Sequence, residues 1–111
     1  MAAIQNLYID QGTTFSLAIT VSDQFGDGMD LTDYTVTSQM RKSYQSATAI
    51  TFTTAKTTPL DGILTISLTA NQTSAIKSGR YVYDIEITSN VETVRVLEGI
   101  VVINPEVTRW Q

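Results

Sequence analysis

Ser78-Gly79-Arg80-Tyr81-Val82-Tyr83-Asp84-Ile85-Glu86-Ile87-Thr88-Ser89-Asn90-Val91-Glu92-Thr93-Val94-Arg95-Val96-Leu97-Glu98-Gly99 is the stretch that decides the fold. Tyr81, Tyr83, Ile85 and Ile87 alternate with Val82, Asp84 and Glu86, the period of a strand with one buried face. A turn centred on Asn90 and Val91 sets Glu86 opposite Arg95, Ile87 opposite Val94 and Ile85 opposite Val96. Opposite charges then meet on one face and apolar side chains on the other, which is a self-consistent hairpin register. Followed upward, this alternation would turn Glu98 inward, so a bulge is expected at the neighbouring Gly99. Beyond it Val101 and Ile103 face inward, and Val82, Leu97, Ile100 and Val102 fall on the outer face. Such a patch either lies under another strand or the N-terminal segment, or is a contact for another subunit.

The same period runs outward from the hairpin. Phe15, Leu17, Ile19 and Val21 make one strand, and Val36, Ser38 and Met40 line a second. Ile50 and Phe52 anchor a third, and Leu64, Ile66 and Leu68 a fourth. A further short strand is expected near Leu7 and Ile9. The 23–28 stretch and Pro59-Leu60-Asp61-Gly62 carry turn residues. Thr69 is placed to N-cap a helical turn over 70–76, closed by Ser78-Gly79. Pro105 ends the last strand, because proline cannot donate to a ladder. The expectation is an all-β, antiparallel sandwich of about seven strands forming one domain over 1–111, with tails at 1–5 and 105–111.

Composition excludes much chemistry. The 111 residues include no Cys and no His, so there is no thiol, no disulfide, no imidazole base and no imidazole metal ligand. Charged residues make up only 16% and Thr about one residue in six, which gives a surface that is easy to desolvate against a partner. The net charge is −4 and the seven basic residues are scattered, so nucleic acid is not an expected partner. No apolar run approaches membrane-spanning length, and Met1-Ala2-Ala3-Ile4-Gln5 does not read as a signal peptide. Synthesis and folding in cytoplasm are expected.

Carboxylates remain as candidates. Asp23, Asp27, Asp30 and Asp33 gather around one loop without the spacing of a calcium hand, and Asx-turns account for such residues. Asp84 and Glu86 share a strand face with Arg95 opposite and imply no cleft. Neither an enzyme nor a cofactor or metal is expected. Tyr34, Tyr44, Phe25 and Trp110 are the aromatic residues that could serve recognition. Trp110, beyond the last strand and its proline, is a candidate contact residue, since interfaces are enriched in Trp.

Ser78 to Tyr83 resembles the start of strand F in immunoglobulin-type domains, with Tyr81 at the tyrosine-corner position. Tyr83 stands where antibody domains carry their second Cys. A fuller set of stretches is similar to small β-sandwich domains of tailed-bacteriophage virion proteins, notably the N-terminal domain of phage baseplate upper proteins. These stretches are Leu31-Thr32-Asp33-Tyr34, Asp61 to Leu68, Ser78 to Ile87, Arg95 to Gly99, and Pro105-Glu106-Val107-Thr108-Arg109, in that order. The resemblance implies an immunoglobulin-like sandwich in a structural virion subunit (tail, baseplate, fibre adaptor or capsid surface), made in the host cytoplasm. Its implied partners are other virion proteins and further copies of itself. It brings no catalytic residues. The end at Gln111 favours an adaptor or decoration subunit over a fibre-bearing one. The alternative is a carbohydrate-binding or host-adhesion module. The candidate contact residues are Val82, Leu97, Ile100, Val102 and Trp110.

Overall fold

The computed structural model describes residues 3–22, 28–43, 45–46 and 49–105. Nine strand segments form two sheets: β1 (Ala3–Ile4), β2 (Leu7–Asp10), β3 (Phe15–Thr20), β4 (Thr35–Arg41), β5 (Ile50–Thr51), β6 (Thr53–Thr58), β7 (Ile63–Leu68), β8 (Gly79–Thr88) and β9 (Thr93–Asn104). The larger sheet runs β1-β9-β8-β4-β5, with β2 also paired to β9, and the smaller runs β3-β7-β6. Their inner faces meet in one core. Leu64, Ile66 and Leu68 come from the smaller sheet, and Val36, Met40, Ile85, Ile87, Val101 and Ile103 from the larger. These are the residues the period-two pattern assigns to the inside.

The segment count exceeds seven because two strands are interrupted. At the third expected strand, β5 pairs with β4 in one sheet and β6 with β7 in the other. The chain therefore changes sheets at Phe52, whose amide donates to the Ser38 carbonyl at 3.0 Å. At the N-terminus, the expected 1–5 tail is already strand at Ala3–Ile4, and β1 and β2 both lie parallel to β9. The sandwich is thus antiparallel except along this edge. The helical turn is shorter than expected: α1 covers Ala70–Ser74, with Thr69 and Gln72 completing a reciprocal capping box.

The final hairpin matches its expected register near the turn, with Glu86 opposite Arg95 and Ile87 opposite Val94. The bulge lies elsewhere. Ile85 pairs with Leu97, so Val96 is the extra residue, not Gly99. One residue of displacement reverses the faces. Leu97 turns into the core at 5% exposure, against the outer-face assignment, and Glu98 turns outward opposite Asp84. Gly99 has a different task. A Cβ there would stand 2.2 Å from the Gln5 carbonyl oxygen, because the N-terminal segment crosses over it.

Among the described residues the buried polar side chains are satisfied. The Ser38 hydroxyl donates to the Asp84 carbonyl at 2.7 Å, and the buried Thr73 hydroxyl donates to the Thr13 carbonyl at 2.8 Å. The Tyr81 hydroxyl donates to the Lys77 carbonyl, four residues back, at 2.9 Å. Tyr83 donates to the Gln5 carbonyl at 2.6 Å, and burial pushes its phenol from 10.0 up to about 12. A folded-state value above the unfolded one stabilises the fold fully below about pH 10, and that stabilisation is lost as pH rises towards about 12. Urea unfolding across this window is expected to lose about 2 kcal/mol through this group. Tyr83→Phe should flatten that part of the profile, and an unchanged profile would contradict the assignment.

Candidate functional site

The outer face of the larger sheet can be read row by row. Arg80 pairs with Val102, Val82 with Ile100, Asp84 with Glu98, and Glu86 with Arg95. On one side β4 adds Arg41 beside Val82, Gln39 beside Asp84 and Thr37 beside Glu86. On the other, Tyr8 lies beside Val102 and Ile4 beside Glu98. Cross-strand partners share a face, so these residues form one surface.

Its two ends differ. One end is apolar and cationic: Tyr8, Val102, Ile100 and Val82, flanked by Arg80 and Arg41. Val82, Ile100 and Val102 are half-buried, while Tyr8 is 70% and Ile4 77% exposed. The N-terminal segment does not lie across the patch. It lies beside it in the same sheet and extends it, with the Asn6 side-chain oxygen accepting from the Ile100 amide at 3.2 Å. Tyr8 thus adds an exposed ring to the half-buried Val82, Ile100 and Val102.

The other end is acidic. Arg95 sits among three carboxylates, with Nε 3.3 Å from Asp84 and 4.0 Å from Glu86, and Nη1 3.8 Å from Glu98. Glu86 meets Arg95 as its register requires, although Asp84 is nearer. All four side chains are partly solvated, so each pair contributes only about 0–1 kcal/mol. Three acids against one guanidinium leave this end negative. Among the described residues no group of His, Cys, Asp and Glu is placed to hold a metal ion. In the loop cluster, Asp30 accepts from the amide and hydroxyl of Thr32, and these bonds hold its carboxyl below the usual range. That is the Asx-turn role.

Of the five candidate contact residues, Val82, Ile100 and Val102 come together on the outer face, Leu97 is in the core, and Trp110 lies outside the described residues. Tyr44, Phe25, Asp23 and Asp27 lie outside them too. The sequence reading missed Tyr8 and Ile4. The signal for Tyr8 was present, since a residue between the inward Leu7 and Ile9 must face outward. That β2 would join β9 at the edge of this patch had no local signal.

No protein-family model matches the chain, and no curated protein matches it. Among solved structures, the chain is similar to the crystal structure of Listeria monocytogenes InlP, at 19% identity and a TM-score of 0.57, over 93% of this chain and 28% of that one. It is also matched, at 15% identity and a TM-score of 0.32, to a nucleoside hydrolase-related hypothetical protein from Saccharophagus degradans associated with carbohydrate metabolism, over 94% of this chain and 23% of that one. The chain spans about a quarter of the length of these two proteins. The likeness to InlP is one of fold. The second superposition is too loose to carry an argument.

Proposed function

We propose that this domain is a structural subunit of a tailed-phage particle and works by binding other protein surfaces through the outer face of its larger sheet. The observation that carries the binding role is the apolar end of that face, where exposed Tyr8 stands beside Val102 next to Ile100 and Val82, with exposed Ile4 further along the same edge beside Glu98. The virion setting draws on the ordered stretches from Leu31 to Arg109 that resemble phage β-sandwich domains. The immunoglobulin-like reading draws further support from the Tyr81 hydroxyl bonded back to Lys77, the geometry of a tyrosine corner. Partners are other virion proteins, and many-copy assembly makes individually weak contacts collectively strong.

The test is incorporation into particles. Tyr8→Ser combined with Ile100→Thr should reduce incorporation at least about tenfold, as expected when an interface loses its aromatic anchor. The melting temperature should fall by only a few degrees, because neither side chain is in the core. Normal incorporation would overturn the assignment of this face. Removal of residues 106–111, with Trp110, is a separate arm that asks whether the tail contributes.

The alternative is a carbohydrate-binding module, which needs an exposed aromatic platform. Tyr8 qualifies, with the Asp10–Asn104 side-chain pair nearby at 3.1 Å. Glycan-array binding that is abolished by Tyr8→Ala would favour it.

A further inference from the structure

The two long edges of the smaller sheet are treated differently. Along β6, the Lys56 ammonium donates to the Leu31, Thr32 and Tyr34 carbonyls, and the Thr54 hydroxyl donates to the Val36 carbonyl. That edge is tied to the start of β4. Along β3 no such cover is present among the described residues.

The pairing alternation shows which groups of β3 are left over. The Val21 amide donates to the Gly62 carbonyl at 2.8 Å, and Thr20 stands opposite Ile63. In an antiparallel ladder this parity turns the N–H and C=O groups of Phe15, Leu17 and Ile19 towards β7. Those of Ser16, Ala18 and Thr20 point away from the sheet, and among the described residues no hydrogen bond meets them. The strand Phe15-Ser16-Leu17-Ala18-Ile19-Thr20 has no charge, no proline and no bulge, the devices that normally protect an edge from pairing.

A groove of about 610 Å³ opens beside the second half of this edge, at Ala18, Ile19 and Thr20. β3 is its wall. Its floor is the inner face of the larger sheet, which extends past β3 at Val94, Val96, Leu97 and Ala3, with Ile87 and Met29 at the side. Phe15, Leu17 and Ile19 are half-buried, whereas Leu64, Ile66 and Leu68 on the neighbouring strand are at most 2% exposed. The smaller sheet is one strand too narrow to cover its partner.

We infer that this groove is an acceptor site for one extended strand of a partner protein, added antiparallel or parallel to β3. Backbone groups of Ser16, Ala18 and Thr20 supply the hydrogen bonds, and every second side chain of the incoming strand rests on the Val94–Val96 floor. Charge matching defines the occupant further. Among the described residues no carboxylate lines the groove, and the one cation that does, Arg95, is engaged by Asp84, Glu86 and Glu98. An ionised side chain buried there would find no partner, so the incoming strand is uncharged and apolar at alternate positions. A second copy of this chain is disfavoured as occupant, because its own overhanging larger sheet would enter the same space. The inference does not depend on the outer face proposed above.

The probe is a synthetic peptide with the sequence of residues 14–21 and a C-terminal Lys-Lys tag for solubility, added to the full chain. In the free protein the amides of Ser16, Ala18 and Thr20 should exchange with solvent deuterium fast and those of Leu17 and Ile19 slowly. Peptide should slow the first three at least about tenfold, and a peptide N-methylated at alternate amides should bind at least about tenfold more weakly, since it cannot complete the ladder. Ala18→Pro should also weaken binding without unfolding the domain, because the N–H it removes points outward. Unchanged exchange with peptide, or equal binding by the N-methylated peptide, would overturn the inference. So would the same protection arising without peptide as protein concentration rises, with a dimer seen by light scattering, because the occupant would then be a second copy.

Discussion

Phe52→Ala should destabilise the domain by about 3–5 kcal/mol, the loss expected for removing a fully buried aromatic ring. Phe52 is 2% exposed and sits where the chain leaves the larger sheet for the smaller. Its ring lies 6.0 Å from that of Phe15 on β3 and 6.3 Å, nearly edge-on, from that of Tyr83 on β8. One side chain therefore bridges both sheets, and its aromatic contacts add about 0.5–1.5 kcal/mol to the burial itself. For a domain of this size each kcal/mol lowers the melting temperature by about 4 °C, so a fall of roughly 12–20 °C is expected. Phe52→Leu keeps most of the volume and should cost less than half as much. Thermal unfolding followed by circular dichroism checks both. A loss below about 1 kcal/mol for Phe52→Ala would mean that the sheets are held together mainly elsewhere.

Gly99→Ala should cost about 3 kcal/mol, a large effect for the addition of one methyl group. The new Cβ would lie 2.2 Å from the Gln5 carbonyl oxygen and 2.9 Å from its carbon, and backbone cannot swing aside as a side chain can. The segment that must yield carries three bonds: Gln5 N–H to the Glu98 carbonyl, the Tyr83 hydroxyl to the Gln5 carbonyl, and the Ile100 amide to the Asn6 side chain. On either side of it, β1 and β2 pair with β9, and Leu7 and Ile9 are buried. The expected outcome is release of the N-terminal strand from β9. Hydrogen exchange should then rise at Leu7 and Ile9 before it rises in β7. Tyr8 and Ile4 would leave the outer face with the strand, so incorporation into particles should fall as well. If urea unfolding shifts by less than about 0.5 kcal/mol and Leu7 stays protected, the crossing at Gln5 is not rigid.

The sequence by itself determined which side chains are inside. Leu64, Ile66 and Leu68, Val36 and Met40, and Tyr81, Tyr83, Ile85 and Ile87 are buried where the period-two pattern puts them. Strand alternation is a local property and survives any arrangement of the strands. The Glu86–Arg95 pairing, the Thr69 cap and the stop at Pro105 were equally legible, because turn length, capping and the missing proline N–H act within a few residues. The tertiary structure alone decided where alternation breaks. Either Val96 or Gly99 could have absorbed the extra residue of β9, and the choice settled whether Leu97 faced the core or the solvent. It went to Val96, while Gly99 was left to admit the backbone of Gln5, ninety-four positions earlier in the chain. The parallel docking of β1 and β2, the change of sheet at Phe52 and the uncovered edge of β3 have the same origin. Each depends on which distant strand arrives as neighbour, and no short window of sequence carries that information. The inner half of the candidate surface is thus written along β8 and β9, and its exposed half, Tyr8 and Ile4, was placed by the fold.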